Sequence, residues 1–358
     1  MDYIRLGDLC IINSGGTPKR NNESYWKNGD IPWVKISDLK NGVVESTEEF
    51  ITVDGLKNSS AKIFPQGTLL YTIFATIGEV AILNIDAATN QAVVGLQLKE
   101  NQKVYLKYIY YYLKSQTNNI KQLGRGVAQN NINLSVVKNM IIPIVSLEKQ
   151  SNIIATLSKI EKIKENRIIL SNYLDDLIKS RFDELIMGDK CDRLMFNDLF
   201  FCTTGKLDSN AAVKGGRYPF FTCAKEIFYI NDYAFDQEAL LLAGNNAAGK
   251  YDIKYYNGKF NAYQRTYVLS LRKKGIYSIF KKQLEDKLEY LQSQSKGSTT
   301  RYLTMGILKN LTFCVPDMEI QLKLDKEIRQ INKLKSDIQK SIDETQLLMD
   351  SLMQEYFG

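Results

Sequence analysis

One pattern constrains this chain more than any other: a long helical stretch that occurs twice. Residues 146–187 contain neither proline nor glycine, and their apolar side chains recur at heptad spacing. A seam this narrow is typical of a helix that packs against one partner helix. About 40 residues at about 1.5 Å each predict a helix roughly 60 Å long. The predicted seam residues are Ile153, Ile160, Ile163, Leu170, Leu174 and Leu177.

The second stretch, residues 317–358, aligns with the first without gaps after a shift of 171 positions. Ser146 falls on Asp317, both good N-cap residues, and Gln150 falls on Gln321. A register shared over so many turns indicates that a unit made of a globular segment and a helix has been duplicated. The second helix contributes the predicted seam residues Leu324, Ile331, Leu334, Ile338, Leu348 and Leu352.

The segments that precede the two helices repeat a common plan of short strands. GTLLYTIFATIGEVAI in the first is matched by EALLLAGNNAAGKYDI in the second, with Gly78 and Gly249 again 171 positions apart. We therefore predict an α+β fold with globular domains at residues 1–145 and 188–316 and long helices at 146–187 and 317–358.

The amino-acid content narrows the function classes. The 358 residues include no histidine, which excludes Ser-His-Asp and Cys-His nucleophilic sites and histidine-ligated zinc. The five cysteines form no CxxC pair, which predicts reduced thiols in a cytosolic setting. The first residues lack a signal-peptide layout, and no apolar run reaches the roughly 18 residues of a membrane span. We expect a cytoplasmic protein with no membrane partner.

The net charge of +7 is concentrated outside the helices. Residues 146–187 carry seven basic and seven acidic side chains, and residues 317–358 carry six and nine, so the remainder carries +10. Basic globular segments are expected to meet a polyanion, whereas neutral or acidic helices suit protein partners.

Two glycine-rich stretches match nucleotide-binding loops only in part. GNNAAGKY, at residues 244–251, departs from the phosphate-binding pattern GxxxxGK[ST] because Tyr251 replaces the magnesium-binding hydroxyl. A hairpin turn that needs glycine at positive φ is the simpler interpretation. LGRGVAQN has two of the three glycines of a dinucleotide motif, and no cofactor motif of a DNA methyltransferase is present. We expect no cofactor in this chain.

Basic and amide side chains share the predicted loops and strand ends. Arginine and lysine suit guanine edges and phosphates, whereas asparagine and glutamine suit adenine, so this mixture is what base reading requires. The tyrosine cluster at residues 108–112 is interpreted as helix packing rather than as a base-stacking platform. The predicted DNA contacts are Lys19, Arg20, Lys35, Gln91, Arg125, Gln129, Asn130, Lys206, Lys225, Asn245, Asn246, Lys250, Gln264, Arg265, Lys296 and Arg301.

In their order, these motifs resemble the specificity subunits of type I restriction–modification systems over essentially the whole chain. The resemblance rests on LGDLCIINSGGTP, IPWVKISDL, GTLLYTIFATIGEVAI, LGRGVAQNNINLSVVKNMIIPIVSLEKQ and the helix that follows. It implies two target recognition domains that each read one half of a split site on double-stranded DNA. It also implies that the helices form an antiparallel coiled coil, which gives an internal pseudo-twofold repeat and sets the half-site spacing.

The resemblance further implies partners that supply the catalysis. Two modification subunits, which bind S-adenosylmethionine and flip the adenine that they methylate, would dock beside the helices. Restriction subunits would join that assembly. The chain itself is then a non-catalytic specificity subunit without a cofactor of its own.

Two other functions fit the residues. A scaffold or decoy protein would bind partner proteins through its helices and nucleic acid without sequence preference. Binding measured at raised salt separates this alternative from sequence-specific recognition, because binding that depends on phosphates alone is lost at lower salt. An enzyme that uses carboxylates or Lys250 is the third possibility, and the missing histidine and cofactor motifs disfavour it.

Overall fold

The structure is a computed structural model that describes residues 2–40, 42–117, 119–120, 131–186, 191–247, 249–297 and 300–358. Its contacts divide the chain into two compact units: unit 1 is Met1–Ile168 with Lys340–Gly358, and unit 2 is Ile169–Gln339. Each unit therefore contains one globular part and portions of both long helices. No helix within the described ranges is long and apolar enough to cross a membrane.

Unit 1 combines short strands with short helices. Its described strands pair antiparallel, except that β3 pairs with β9 and β4 with β8 in parallel. Sheet orders are β1-β11, β2-β10-β7-β8-β4 and β5-β3-β9-β6. In chain order the elements are β1 Asp2–Arg5, α1 Leu6–Leu9, β2 Cys10–Ser14, a 3₁₀ turn Glu23–Tyr25, β3 Ile31–Val34, a 3₁₀ turn Ile36–Leu39, β4 Val43–Val44, β5 Glu49–Ile51, α2 Val53–Lys57, β6 Ile63–Phe64, β7 Leu69–Thr72, β8 Val80–Leu83, β9 Ala87–Thr89, β10 Val93–Leu98, α3 Leu106–Ser115, α4 Leu134–Asn139, β11 Ile141–Ile144 and the first part of α5 Leu147–Ile186.

Unit 2 has the same mixture of mainly antiparallel sheet and separate helices, which confirms the predicted α+β class. Its sheet orders are β12-β21, β13-β19-β16-β18-β14-β15 and β17-β20. After the end of α5, the elements are β12 Asp192–Met195, α6 Phe196–Leu199, β13 Phe200–Thr204, a 3₁₀ turn Ser209–Ala211, β14 Tyr218–Phe221, β15 Phe228–Ile230, β16 Phe235–Ala243, β17 Asn245–Asn246, β18 Ile253–Ala262, β19 Thr266–Leu271, α7 Tyr277–Glu285, α8 Leu288–Gln294, β20 Arg301–Tyr302, α9 Met305–Lys309, β21 Thr312–Val315 and the first part of α10 Met318–Phe357.

The duplication predicted from the sequence is present in the strand pairing. The first strand of each unit pairs with the strand before its long helix, β1 with β11 and β12 with β21. The order β2-β10-β7-β8 then corresponds to β13-β19-β16-β18. The units differ because β18 runs unbroken for ten residues, whereas its counterpart stops at Leu83 and resumes at Ala87 as β9. In unit 1 this break divides one sheet into two.

The tyrosines of α3 form the core of unit 1, as the sequence predicts. Tyr108, Tyr111 and Tyr112 are buried, and the Phe357 ring lies 5.1 Å from Tyr108 and 6.0 Å from Tyr112. The Tyr108 hydroxyl donates to the Pro143 carbonyl at 2.9 Å. Burial raises the pKa of Tyr108 and of Tyr112 to about 12. The end of α10 therefore completes the core that α3 begins.

One expectation about the cysteines is wrong. Cys191 and Cys314 are joined by a disulfide with a Cα–Cα distance of 5.7 Å. The two are 123 positions apart in sequence, and the antiparallel pairing of β12 with β21 brings them together. Cys10 and Cys202 remain free thiols, and burial raises the pKa of each to about 12.

A buried glutamine at the start of each long helix holds that helix against its globular part. The Gln150 side chain accepts from the Tyr105 amide at 3.0 Å and donates to the carbonyls of Lys103 at 3.1 Å and Val145 at 2.8 Å. Ser146 caps the helix through a 3.3 Å bond to the Lys149 amide. Such a buried amide is stable only when its bonds are made.

Unit 2 repeats this arrangement 171 positions later. The Gln321 side chain accepts from the Ile276 amide at 2.9 Å and donates to the Pro316 carbonyl at 2.8 Å. These backbone partners occupy the positions of Tyr105 and Val145 in unit 1. The fold therefore uses the same bonds twice to direct a long helix.

We predict that Gln150→Ala lowers the free energy of unfolding by about 3 kcal/mol, because it breaks three hydrogen bonds between a buried side chain and the backbone. Gln330→Ala, at an exposed position of α10, is the matched control and is expected to have little effect. Urea unfolding of both variants measures the difference. Equal stability of the two would show that the buried amide does not hold the helix.

Candidate nucleic-acid interface

Loops that adjoin neighbouring strands of unit 1 meet at one edge. The Gly15 amide donates to the Val93 carbonyl at 3.0 Å, and the Asn90 amide donates to the Val34 carbonyl at 3.1 Å. A Cβ at position 15 would overlap Thr89, so this approach requires glycine. We call the resulting surface loop edge 1; it consists of residues 15–20, 35 and 90–91.

Two predicted DNA contacts on loop edge 1 are held by protein carboxylates. The Arg20 guanidinium lies 3.8 Å from the ring centre of Trp26 and forms an ion pair with Glu49. Lys35 Nζ lies 2.9 Å from Glu48 Oε2 and 3.0 Å from Glu49 Oε1. Partial burial alone would raise the pKa of Glu49, but hydrogen bonds from both cations outweigh it and lower that pKa. Hydrogen bonds to the two carboxylates raise the pKa of Lys35.

The other predicted contacts of unit 1 differ in how well they are placed. Lys19 is exposed, and Gln91 Oε1 accepts a hydrogen bond from the Thr17 hydroxyl. The pairing of Asn131 with Phe74 brings the segment after residue 130 to the loop that follows β7. Three further predicted contacts lie outside the described residues: Arg125, Gln129 and Asn130.

Unit 2 gathers its predicted contacts at the corresponding edge. A Cβ at Gly205 would overlap the Ala262 carbonyl. The Gln264 amide donates to the Leu207 carbonyl at 2.9 Å, and the Arg265 carbonyl accepts from the Gly244 amide at 2.8 Å. We call this surface loop edge 2; it consists of residues 205–207, 222–225, 244–246 and 263–265. The exposed predicted contacts on it are Lys206, Lys225, Gln264 and Arg265.

The stretch that partly matches a phosphate-binding loop is a strand followed by a turn. Asn245 pairs with Tyr302, and Asn246 pairs with Arg301. Gly249 has a φ of 68°, as the turn interpretation predicts, and Tyr251 is buried. The remaining predicted contacts lie beside this pairing: Lys250 and Arg301 are exposed, and the exposed Lys296 forms a bridge with Tyr302. The described residues include no group of three or more side chains placed to hold a metal.

The two loop edges present equivalent residues, which the sequence alignment at a constant shift did not reveal. Gly15 directly follows β2, and Gly205 directly follows β13. Gln91 lies two residues before β10, and Gln264 lies two residues before β19. Each unit therefore places one glutamine beside a glycine turn at the same point of the fold.

The helix pair buries a regular seam in which steps of three and four residues alternate. The predicted seam residues form two rows on each helix, and one row on each helix lies in this seam. Its members are buried or half-buried: Ile153, Ile160, Leu174, Leu324, Ile331, Ile338 and Leu352. The α5 seam is Ile153, Leu157, Ile160, Lys164, Arg167, Ser171, Leu174, Ile178, Arg181 and Leu185. The α10 seam is Gln321, Leu324, Ile328, Ile331, Lys335, Ile338, Ile342, Thr345, Met349, Leu352 and Tyr356.

The other predicted row was wrong by one position on each helix. The true rows carry polar residues such as Lys164, Ser171 and Lys335, so a search for apolar residues selects their apolar neighbours instead. The residues wrongly placed in the seam are exposed: Ile163, Leu170, Leu177, Leu334 and Leu348.

Polar contacts across the seam establish how the helices run. Arg181 makes two 3.0 Å bonds to Glu327. In each unit the partner number falls as the α5 number rises, so the helices are antiparallel there. The cross-helix pairs are Lys164–Gln346 and Arg167–Ser341 in unit 1, and Asp175–Lys335 and Arg181–Glu327 in unit 2.

The sequence of the chain matches a known family along most of its length. A sequence profile described as "Type I restriction modification DNA specificity domain" matches residues 1–171 and again residues 196–346. The chain belongs to this family. Each matched specificity domain contains one globular part with its loop edge.

Curated relatives of this specificity-domain chain carry matching names. The type I restriction enzyme EcoDI specificity subunit of Escherichia coli is 39% identical over 146 residues, which are 39% of this chain and 31% of that protein. The MjaIX specificity subunit of Methanocaldococcus jannaschii is 31% identical over 209 residues, 54% of this chain and 48% of that protein. These alignments span less than half the length of either relative.

A solved structure extends the similarity of fold to the whole chain. The crystal structure of the type I restriction–modification S subunit from M. genitalium covers 100% of this chain and 96% of that chain, with a TM-score of 0.55. Its sequence identity is 17%. At that identity the match supports the fold of the specificity domains alone.

Sequence reasoning missed several side chains that organise the specificity domains. Glu49 lies on β5, whereas Arg20 and Lys35, the cations that it pairs with, lie in loops earlier in the chain. No local sequence pattern links the three residues. A signal for the polar seam was present, because Arg167 and Thr345 interrupt the apolar heptads of their helices. The structure pairs these two side chains across the seam.

The corrected seam gives a test with neighbouring residues. We predict that Ile178→Asp lowers the free energy of unfolding by about 3 kcal/mol, because it buries a charge and removes apolar packing. Ile178 is 9% exposed, whereas the adjacent Leu177 is 44% exposed. Leu177→Asp is expected to change stability by about 0.5 kcal/mol or less. Denaturant unfolding that ranks the two variants in the opposite order would restore the original row.

Proposed function

We propose that the chain is the sequence-specific DNA-binding subunit of a type I restriction–modification complex. Each globular part reads one half of a bipartite site, in the cytoplasm where such a complex meets DNA. The observation that carries this proposal is the equivalence of the two loop edges, each with a glutamine beside a glycine turn and with nearby cations. Family membership supports it independently.

The chemistry of the loop edges suits base reading. A glutamine amide can form two bonds to adenine, and arginine can form two to guanine, whereas lysine suits phosphates. Loop edge 2 offers all three types as exposed side chains: Gln264, Arg265, Lys206 and Lys225. A surface for phosphates alone would not need the amide groups. A scaffold that binds without sequence preference is therefore the less suitable function.

The helix pair would set the distance between the half-sites and hold the partner subunits. The chain would be non-catalytic, and two modification subunits would supply S-adenosylmethionine and adenine methylation, with restriction subunits completing the complex. Apolar side chains exposed on the part of α5 in unit 2 offer these modification subunits a docking surface: Leu170 and Leu177. Exposed apolar patches of this kind are typical of interaction surfaces.

Replacing the equivalent glutamines tests the reading role. Gln264→Ala is expected to relax one half of the methylated site, because adenine contacts contribute about 1–3 kcal/mol of discrimination. Gln91→Ala should relax the other half only. Methylome sequencing after co-expression with the modification subunit measures both effects. Uniform loss of methylation with no change in either half-site would contradict base reading by these side chains.

Shortening both helices tests the spacing role. Removing residues 165–171 and 339–345 together deletes one heptad from each helix and keeps the alternation of the seam. Seven residues at about 1.5 Å each correspond to about three base pairs at about 3.4 Å. We expect the half-sites to stay the same and the gap between them to shorten by about three base pairs. Methylated sites with an unchanged gap would exclude the helix pair as a spacer.

A further inference from the structure

A single carboxylate pairs with two of the three cations on loop edge 1. Glu49 forms ion pairs with both Arg20 and Lys35, and Glu48 adds a second contact to Lys35. The side chain of Arg20 is about half exposed, at 52%, so a ligand can reach it. Arg20 and Lys35 are therefore already paired with anions, whereas Lys19 on the same edge is exposed.

Two tryptophans also contact the Arg20 guanidinium. Arg20 Cζ lies 3.8 Å from the ring centre of Trp26 and 4.7 Å from that of Trp33. Trp33 is itself buried, and its Nε1 donates to the Gly16 carbonyl at 3.0 Å. These cation–π contacts act on the guanidinium independently of its N–H bond to Glu49. A phosphate accepts from the guanidinium N–H groups in the same way as a carboxylate.

The duplicated fold shows that this acidic position is not required for folding. Glu49 pairs with Trp33 in the β3–β5 register, and Phe228 pairs with Phe220 at the same point of the β14–β15 register. An exposed phenylalanine thus replaces the carboxylate in unit 2. Among the described residues, Lys206 and Lys225 of loop edge 2 form no ion pair. Within the described ranges, carboxylates therefore pair with cations of loop edge 1 but not with these two lysines of loop edge 2.

We propose that Glu49, assisted by Glu48, takes the place of a DNA phosphate on loop edge 1 and suppresses binding to non-specific DNA. The inference rests on the proposed function. DNA must displace the carboxylates before Arg20 and Lys35 can contact its backbone. A correct half-site offsets that displacement with base contacts, whereas a random sequence does not. Glu49 is therefore a specificity-determining residue that need not touch a base.

Glu49→Gln in the full chain, with its modification subunits, tests this inference. Binding to a random duplex is expected to tighten. The slope of log K against log salt should steepen by about 0.9 for each phosphate contact that the variant gains. The gain per contact should then shrink about threefold between 50 and 200 mM salt. Binding to a duplex with the methylated site should change less, so the specificity ratio falls.

Two further variants separate a local effect from a change in net charge. Glu100→Gln removes the same charge beyond the opposite end of β10 and is expected to bind as the wild type does. Adding Arg20→Gln to Glu49→Gln should abolish most of the gain, because Glu48 still pairs with Lys35 when Glu49 is replaced. An equal gain in Glu100→Gln, or a gain that survives the loss of Arg20, would overturn the inference.

The melting temperature of Glu49→Gln shows whether Glu49 has a purely structural role. If Glu49→Gln lowers the melting temperature, Glu48→Gln decides, because it removes one of the two carboxylates on Lys35 and keeps the contact between Glu49 and Arg20. A smaller gain on random DNA supports the inference, and unchanged binding rejects it. If the wild type itself does not distinguish the methylated site from random DNA, the proposed function fails. The effect of Glu49→Gln on random duplex remains measurable in that case.

Discussion

The bonds of a buried side-chain amide determine the direction of each long helix relative to its own globular part. Gln150 and Gln321 are almost fully buried and bond to backbone groups of the segment before the helix. Because an unpaired buried amide is costly, these bonds tolerate little tilting of the helix. A helix can measure a distance along DNA only if each reading surface is held rigidly on it. The proposed spacing role therefore depends on a contact that lies far from any base.

The seam between the helices combines two requirements. Apolar residues such as Leu157 and Met349 in unit 1, or Ile178 and Leu324 in unit 2, supply burial. Polar residues such as Arg167 contribute less stability than apolar ones would, since a buried or half-buried charge must be desolvated. Each polar seam residue bonds to a group on the facing helix only when the two helices are in register. Polar residues define the register of a coiled coil in this way. Moving polar residues into the seam also leaves apolar side chains outside it, where a partner can use them.

The parts of the structure that follow from local pattern could be predicted from the sequence, and the rest depend on contacts between distant segments. The duplication, the tyrosine core of α3 and the turn at Gly249 each have a periodic or conformational signature. The disulfide has none, because Cys191 and Cys314 meet only through strand pairing. The prediction of one seam row on each helix was wrong, because polar side chains occupy positions that the heptad rule assigns to apolar ones. The sequence predicts that Arg20 and Lys35 lie in loops or at strand ends, but their neutralisation depends on β5, which follows them in sequence.

Duplication followed by divergence explains why the two loop edges differ in charge while their geometry is retained. The glycine turn and the nearby glutamine are at the same fold positions in both units, because close approach of the loops requires a residue without a side chain. Residues on the edge strand face no such restriction, so Glu49 and Phe228 can occupy equivalent positions. If the chain binds DNA as proposed, the basic surface of unit 2 would engage phosphates first, because two cations of unit 1 are already paired with carboxylates. Unit 1 would then add affinity only where its base contacts compensate for displacing those carboxylates. This order of engagement would let a weakly basic protein search DNA without being retained at random sites.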